Sequence, residues 1–469
     1  MPAEFAVRGK QQQMNTDGSG PIRFDDSLPC FVSIVDELLG TEALQRHLIL
    51  RDADGLLSLI MGSPVDDVQR TALENSVRGR LGAYAATCPV GTAEELYDDD
   101  LQNPLNDVKE YVEYRGTDGK PKSAFVNLVE HRIFGEDWQR NIRTISEPPG
   151  TPQIIVFASL KGGVGRSTAL AVSAKHLASS DRNVLVVDLD LEAPGVGSMF
   201  LDQENLPRYG LLDYFTEIKH ADVDNEFLQN MVATSPLSYE LGGLVSVAPA
   251  AGKQCRAFPQ NVLRKLSQTY LERVDSSGSR SFLDQTRGLI SRLCNTGKNQ
   301  YDVVLVDTRA GLNESTAASI IGLRAFVLFF AIDQPQTWED YSYLFAHWAR
   351  FRPIELGHDE EDWRANLQMV HAKASASSDD RALFRDRAFD VLATHLYDIL
   401  DEDSANDTTP TFNFDLDDMD APHYAWPILF DSNLINFNPL SNPSHLEEAV
   451  YMKTFDSFLE SLLSIIRGR

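Results

Sequence analysis

Cysteine is scarce and scattered: Cys30, Cys88, Cys255 and Cys294 are the whole complement, and no two form a C-x-x-C pair. That excludes a zinc-ribbon pattern and a disulfide framework, and it fits a reducing compartment, so a cytoplasmic protein is expected. Long apolar runs are missing as well. The longest, Ala325 to Ile332 (AFVLFFAI), has the length of a buried strand, well short of the ~18 unbroken apolar residues that a membrane span needs. Positive charge is in deficit, with 42 Lys and Arg against 69 Asp and Glu, a formal net charge of -27. A bulk surface of that sign does not wrap nucleic acid or an anionic membrane, because phosphate binding needs Lys and Arg. The opening residues 1–21 lack the apolar core of a signal peptide and read as a disordered lead-in.

What is present is enough chain for two or three domains, at 469 residues. Residues 22–145 read as a smaller α+β domain of unknown role. Val65 to Thr87 has helical apolar spacing with Asp near its start. After the acidic loop EELYDDDLQNPLND, two β-rich runs flank a Gly/Asp/Pro turn, which predicts a hairpin. His131 and Trp138 are read as packing residues rather than a site. The Pro- and Gly-containing stretch 146–152 is the expected linker. From 153 to 469 apolar strands alternate with helical stretches: QIIVFAS, NVLVVDLDL, GLVSVAPA, YDVVLVDT, AFVLFFAI, LQMVHA and AWPILF. Near-continuous apolar strands imply a mostly parallel, doubly wound α/β sheet with helices on both faces. An acidic segment near 401–420, low in aliphatic residues, reads as a mobile insertion.

The chemistry concentrates in IIVFASLKGGVGRSTALAVSAKHL, Ile154 to Leu177. A strand runs into a glycine-rich turn that opens a helix. Glycines let successive backbone N–H groups point inward around an anion, and the helix adds its positive N-terminal end. Ser167 is placed to offer a hydroxyl to Mg²⁺, and Thr168 to reach a more internal phosphate. Asp188, Asp190 and Asp307 close later strands, where parallel sheets bind ligands.

KGGVGRST resembles the deviant Walker A motif, KGGxGK[ST], of the ParA/MinD group of P-loop ATPases. NVLVVDLDLEAPGVG, GLVSVAPAAGK, YDVVLVDTRAGLNEST and FVLFFAIDQPQTWEDYSYLF follow in the family's order, so the resemblance covers roughly Gln153 to Arg469. It implies a P-loop NTPase sheet that binds ATP and Mg²⁺ and forms a homodimer around two nucleotides. Lys161 would be the signature lysine reaching the partner's nucleotide, and Gly162, Gly163, Val164, Gly165, Arg166, Ser167 and Thr168 would cradle the phosphates. Ser167, Asp188 and Asp307 would manage the metal, while Lys161, Arg166 and Asp190 would act in hydrolysis, Asp190 by orienting water. The late WPILFDSN, with Pro427 and Asp431, resembles the adenine-side loop, and His371 stands where many relatives present Asn.

Two departures qualify the expectation. Arg166 replaces the second loop lysine with a bulkier, planar cation, so binding should survive while hydrolysis is slowed. Arg309 stands where relatives carry a small residue or Pro, as compensating charge or as a surface ion pair. The leading expectation is a slow Mg²⁺-dependent ATPase switch whose N-terminal domain engages an unknown protein partner. The rivals are a non-hydrolysing ATP sensor or scaffold, a DNA-partitioning protein, and a component of a bacterial defence system. No NKxD-like base reader is present, which favours ATP over GTP. The missing Tyr-rich tail disfavours protein kinase activity. The final stretch, with Phe455, Phe458, Leu459, Leu462, Leu463 and Ile466 near one face, is read as a closing helix rather than a membrane anchor. The aromatic series Trp338, Tyr341, Phe345, Trp348 and Phe351 is read as core or dimer packing.

Overall fold

The computed structural model describes residues 21–63, 65–96, 101, 109–132, 135, 137–139, 152–275, 278–296, 300–351, 362–398 and 411–467. The lead-in, the linker and the first half of the acidic segment therefore lie outside the described residues, save Pro21 and Pro152 at their edges. The chain divides into two compact units, Met1–Glu136 and Asp137–Arg469. The division falls earlier than 145 for a visible reason. The Asp137 carboxylate accepts the Leu283 N–H at 2.9 Å, and Trp138 is buried in the core of the second unit. Trp138 is thus a packing residue of the second unit, and His131 is assigned to the first.

In the first unit, α1 (Phe24–Leu39), α2 (Ala43–Arg46), β1 (Leu48–Arg51), β2 (Leu57–Ile60), α3 (Asp67–Leu81), β3 (Ala85–Gly91) and α4 (Ala93–Leu96) precede a hairpin. The hairpin is β4 (Lys109–Arg115) and β5 (Pro121–Glu130), paired antiparallel from Lys109↔Asn127 to Arg115↔Pro121. The five-stranded sheet has the order β3-β2-β1-β5-β4. Asp66 caps α3 by accepting the Gln69 N–H at 2.8 Å, and Leu73, Val77 and Leu81 form its buried stripe. The helical reading to Thr87 overruns. Gly82, at φ 56°, turns the chain out of the helix, and the next residues pair with β2 instead.

The second unit begins with β6 (Gln153–Ala158), α5 (Arg166–Ser179), β7 (Val184–Asp188), α6 (Val196–Phe200), α7 (Leu211–Glu217) and α8 (Asn225–Gln229). It continues with β8 (Ala233–Thr234), β9 (Val245–Ala248), α9 (Lys253–Ala257), α10 (Val262–Thr269), β10 (Arg273–Asp275), β11 (Gly278–Arg280) and α11 (Phe282–Thr296). Then come β12 (Val303–Asp307), α12 (Glu314–Gly322), β13 (Phe326–Ala331), α13 (Pro335–Trp348), β14 (Leu367–Ala374), α14 (Ser378–His395), β15 (Trp426–Leu429) and α15 (Glu448–Arg467).

All seven expected strands form. They lie in an eight-stranded sheet of order β15-β14-β13-β6-β12-β7-β9-β8, parallel except for the short edge strand β8. Alternate residues serve opposite cores: Val304 and Val306 face one, Val303 and Leu305 the other. Both faces of the central strands are covered, so β12, β13 and the inner part of β6 are near-continuous apolar runs. In α13, Trp338, Tyr341, Phe345 and Trp348 are buried, which assigns that helix to the core. Phe455, Phe458, Leu459 and Leu462 of α15 are buried as well, as a closing helix requires. Among the described residues no helix is long and apolar enough to cross a membrane.

Candidate nucleotide site

Three neighbouring strand ends define the site. β6 lies beside β12, and β12 beside β7, with Asp307 in register with Phe157 on one side and Asp188 on the other. Beyond β6 the glycine loop leads into α5. Gly163 and Gly165 take φ values of 74° and 95°, conformations that side chains with a Cβ adopt only under strain. A Cβ at Gly162, Gly163 or Gly165 would meet nothing within 4 Å, so backbone conformation rather than crowding calls for glycine at 163 and 165. The loop opens on a cavity of about 340 Å³, lined by Gly162 through Thr168 and by Ile428, Phe430 and Phe455. The N–H groups of the first turn of a helix have no intrahelical acceptor, so the start of α5 offers donors to an anion there.

Arg166, the first residue of α5, does not extend along the open loop. The residue is 8% exposed, and its guanidinium reaches back to the strand ends. Nε donates to Asp307 Oδ1 at 2.6 Å, Nη1 to Ser159 Oγ at 3.1 Å, and Nη2 to Asp190 Oδ2 at 3.3 Å. Ser167 Oγ donates to the other oxygen of Asp307 at 2.7 Å. Asp188 is fully buried behind them and accepts the N–H groups of Asp190 and Gly197 at 3.3 and 3.4 Å. Burial pushes the Asp188 carboxyl up to about 8, with the neighbouring Asp307 adding to the rise. Burial also raises Asp190, against the pull of Arg166.

The remaining predicted residues separate from this cluster. Lys161 Nζ donates to Gln334 and Gln336, at 2.5 and 3.3 Å, at the start of α13. Val164 and Thr168 line the cavity. His371 does not: it stacks on Phe384 of α14 at 3.9 Å, and burial depresses it to about 4. Pro427 pairs with His371 across β14 and β15, while the cavity wall takes Ile428, Leu429, Phe430 and Asp431. Arg309 forms an ion pair with Glu192 at 2.6 Å, which also accepts the Tyr270 hydroxyl at 2.6 Å.

Two groups went unseen in the sequence. Ser159, at the tip of β6, is an acceptor for Arg166. Lys373 lines the cavity, and its Nζ donates to the Gly163 carbonyl at 2.7 Å. A lone cation ending an apolar strand was the signal for Lys373.

Residues 152–323 match the family model described as an AAA domain. No curated protein matches the chain. Among solved structures the chain is similar to a ParA family ATPase from Chlorobium tepidum TLS, at 17% identity over 67% of this chain and 99% of that one, with a TM-score of 0.43. It is similar to pNOB8 ParA bound to nonspecific DNA, at 16% identity over 68% and 99% of the two chains, with a TM-score of 0.40. A third is the septum site-determining protein MinD from Pyrococcus horikoshii OT3 complexed with Mg-ADP, at 20% identity over 40% of this chain and 62% of that one, TM-score 0.29.

Proposed function

Taking the second unit as a ParA/MinD-like P-loop ATPase domain, we propose that it is an ATP-binding switch that hydrolyses its nucleotide slowly. One observation carries the reading. The positive-φ glycine loop faces an open cavity and ends on a helix whose first residues sit beside two aspartates from adjacent strand tips. Phosphoryl transfer chiefly needs positioning and charge neutralisation. The loop amides hold the phosphates, and Thr168 reaches an inner one. Asp190 orients the attacking water.

Ser167 and Asp307 bring a hydroxyl and a carboxylate together, the hard oxygen donors that Mg²⁺ takes, and they fit a metal that arrives with the nucleotide. Ser167 and Asp307 would hold the ion from the protein side; among the described residues no group of three or more His, Cys, Asp or Glu is arranged to hold a metal. Bound there, the ion supplies charge neutralisation for the transferred phosphoryl group.

Homodimerisation belongs to the same proposal. Lys161 leaves Gln334 and Gln336 to meet a second copy's nucleotide, and the first unit carries the partner-binding function. Asp190→Ala is expected to keep ATP affinity and to lose roughly 10²-fold or more in phosphate release, the usual scale for removing a general base. Parent-like hydrolysis by that variant would remove Asp190 from the mechanism.

The engagement of Arg166 by Asp190 and Asp307 favours a second reading, a sensor that retains intact ATP. Single-turnover phosphate release separates the two: ATP kept whole for hours identifies the sensor.

A further inference from the structure

A triphosphate entering this loop approaches the carboxylates of Asp307 and Asp190, with Asp188 behind them. Asp307 is buried and Asp190 nearly so, and carboxylates shielded from water in this way oppose an incoming anion unless a cation stands between them. Resting on the nucleotide-binding reading above, we propose that Arg166 is that cation: a built-in counter-ion that lets the site take up a nucleoside triphosphate without a divalent metal.

The geometry is specific to arginine. One planar guanidinium reaches Asp307, Ser159 and Asp190 through three different nitrogens. A lysine ammonium is a point charge on a flexible stem and does not span three such partners in one plane. The burial of Arg166, at 8% exposure, limits screening by salt. Asp307 turns its other oxygen to the Ser167 hydroxyl, so both of its oxygens have donors before any ligand arrives. The loop itself remains open, because the side chain that would otherwise lie along the phosphates is drawn back to the strand tips. Metal and phosphate affinity are therefore uncoupled at the binding step.

Arg166 is here a positioning residue, and affinity rather than turnover is its readout. Calorimetric titration of the full chain with ATP, in magnesium and again in EDTA, tests the proposal. The expected result is a dissociation constant in EDTA within about tenfold of that in magnesium. A loss of more than about tenfold in EDTA overturns it. No uptake in either buffer defeats the nucleotide-binding reading itself, and the inference with it. Arg166→Lys, checked for an unchanged unfolding transition, should acquire the metal dependence that the parent lacks. A Lys variant that binds equally well in EDTA shows that the guanidinium is not the cause and also overturns the proposal.

Discussion

Arg166 and Arg364 are both nearly closed to solvent, at 8% and 3% exposure, and each lies between two aspartates. Arg364 is fully enclosed by its own neighbourhood. It donates to Asp362, to Asp398 and to the Leu396 carbonyl at 2.7 Å, and its guanidinium covers the Phe412 ring at 4.5 Å. Arg166 has partners that terminate parallel strands, and it stands at the edge of an open, glycine-built loop. Burial and pairing alone therefore do not mark a functional cation. What sets Arg166 apart is that its carboxylate partners border the glycine loop and the first turn of α5, whose N–H groups have no intrahelical acceptor.

Breaking the enclosed pair should give the largest effect. Arg364→Ala leaves Asp362 and Asp398 without their shared cation, and the second unit should lose about 3–5 kcal/mol in urea unfolding. Folded variant should still bind ATP as the parent does. A collapse of affinity in folded Arg364→Ala would erase the distinction between the two arginines.

Arg166→Ala should act on the ligand. ATP affinity is expected to fall about ten- to hundredfold by calorimetry, the scale of a lost charge-assisted contact. Unchanged affinity would make Arg166 a structural pin like Arg364.

Within the loop, Gly163→Ala should cost about 1–2 kcal/mol, because alanine is strained at φ 74°. Gly162→Ala, where no positive φ is required and a Cβ meets nothing within 4 Å, should be milder. Equal affinities and unfolding midpoints for the two variants would contradict the conformational account.

The smallest effect concerns His371, whose ring is kept neutral by burial, at about 4 against its ordinary 6.5. The unfolded chain binds that proton first as the pH falls. Its stabilising contribution is therefore complete above about 6.5 and is lost as the pH drops toward 4. His371→Gln should flatten that part of the stability-versus-pH curve. Superimposable curves for the two proteins would show that His371 does not titrate this way.

The parallel sheet and the glycine-rich turn between β6 and α5 were legible in the sequence because both are local signals: apolar runs, and glycines between a strand and a helix. The pose of Arg166 was not. A sequence states the charge at 166, while the choice between open loop and carboxylates depends on how β6, β7 and β12 align. His371 and Lys373 illustrate a second limit. In an even strand, residues two apart share a face. Lys373 instead takes φ 54°, the pairing of β14 with β15 shifts between His371 and Ala374, and the ammonium reaches the Gly163 carbonyl. Strand alternation cannot reveal that departure. Ala85 to Thr87 read as helix by apolar spacing, yet they belong to β3, which pairs with β2 from Leu57↔Ala85 to Ile60↔Gly91.

Titration of the full chain with magnesium and ATP in a calorimeter addresses the nucleotide site most directly. One nucleotide per chain is the predicted result, with affinity weakened in Arg166→Ala and retained in Asp190→Ala. No uptake by protein that keeps its cooperative unfolding transition would contradict it, and would leave the glycine loop at 162–168 as a turn without a ligand.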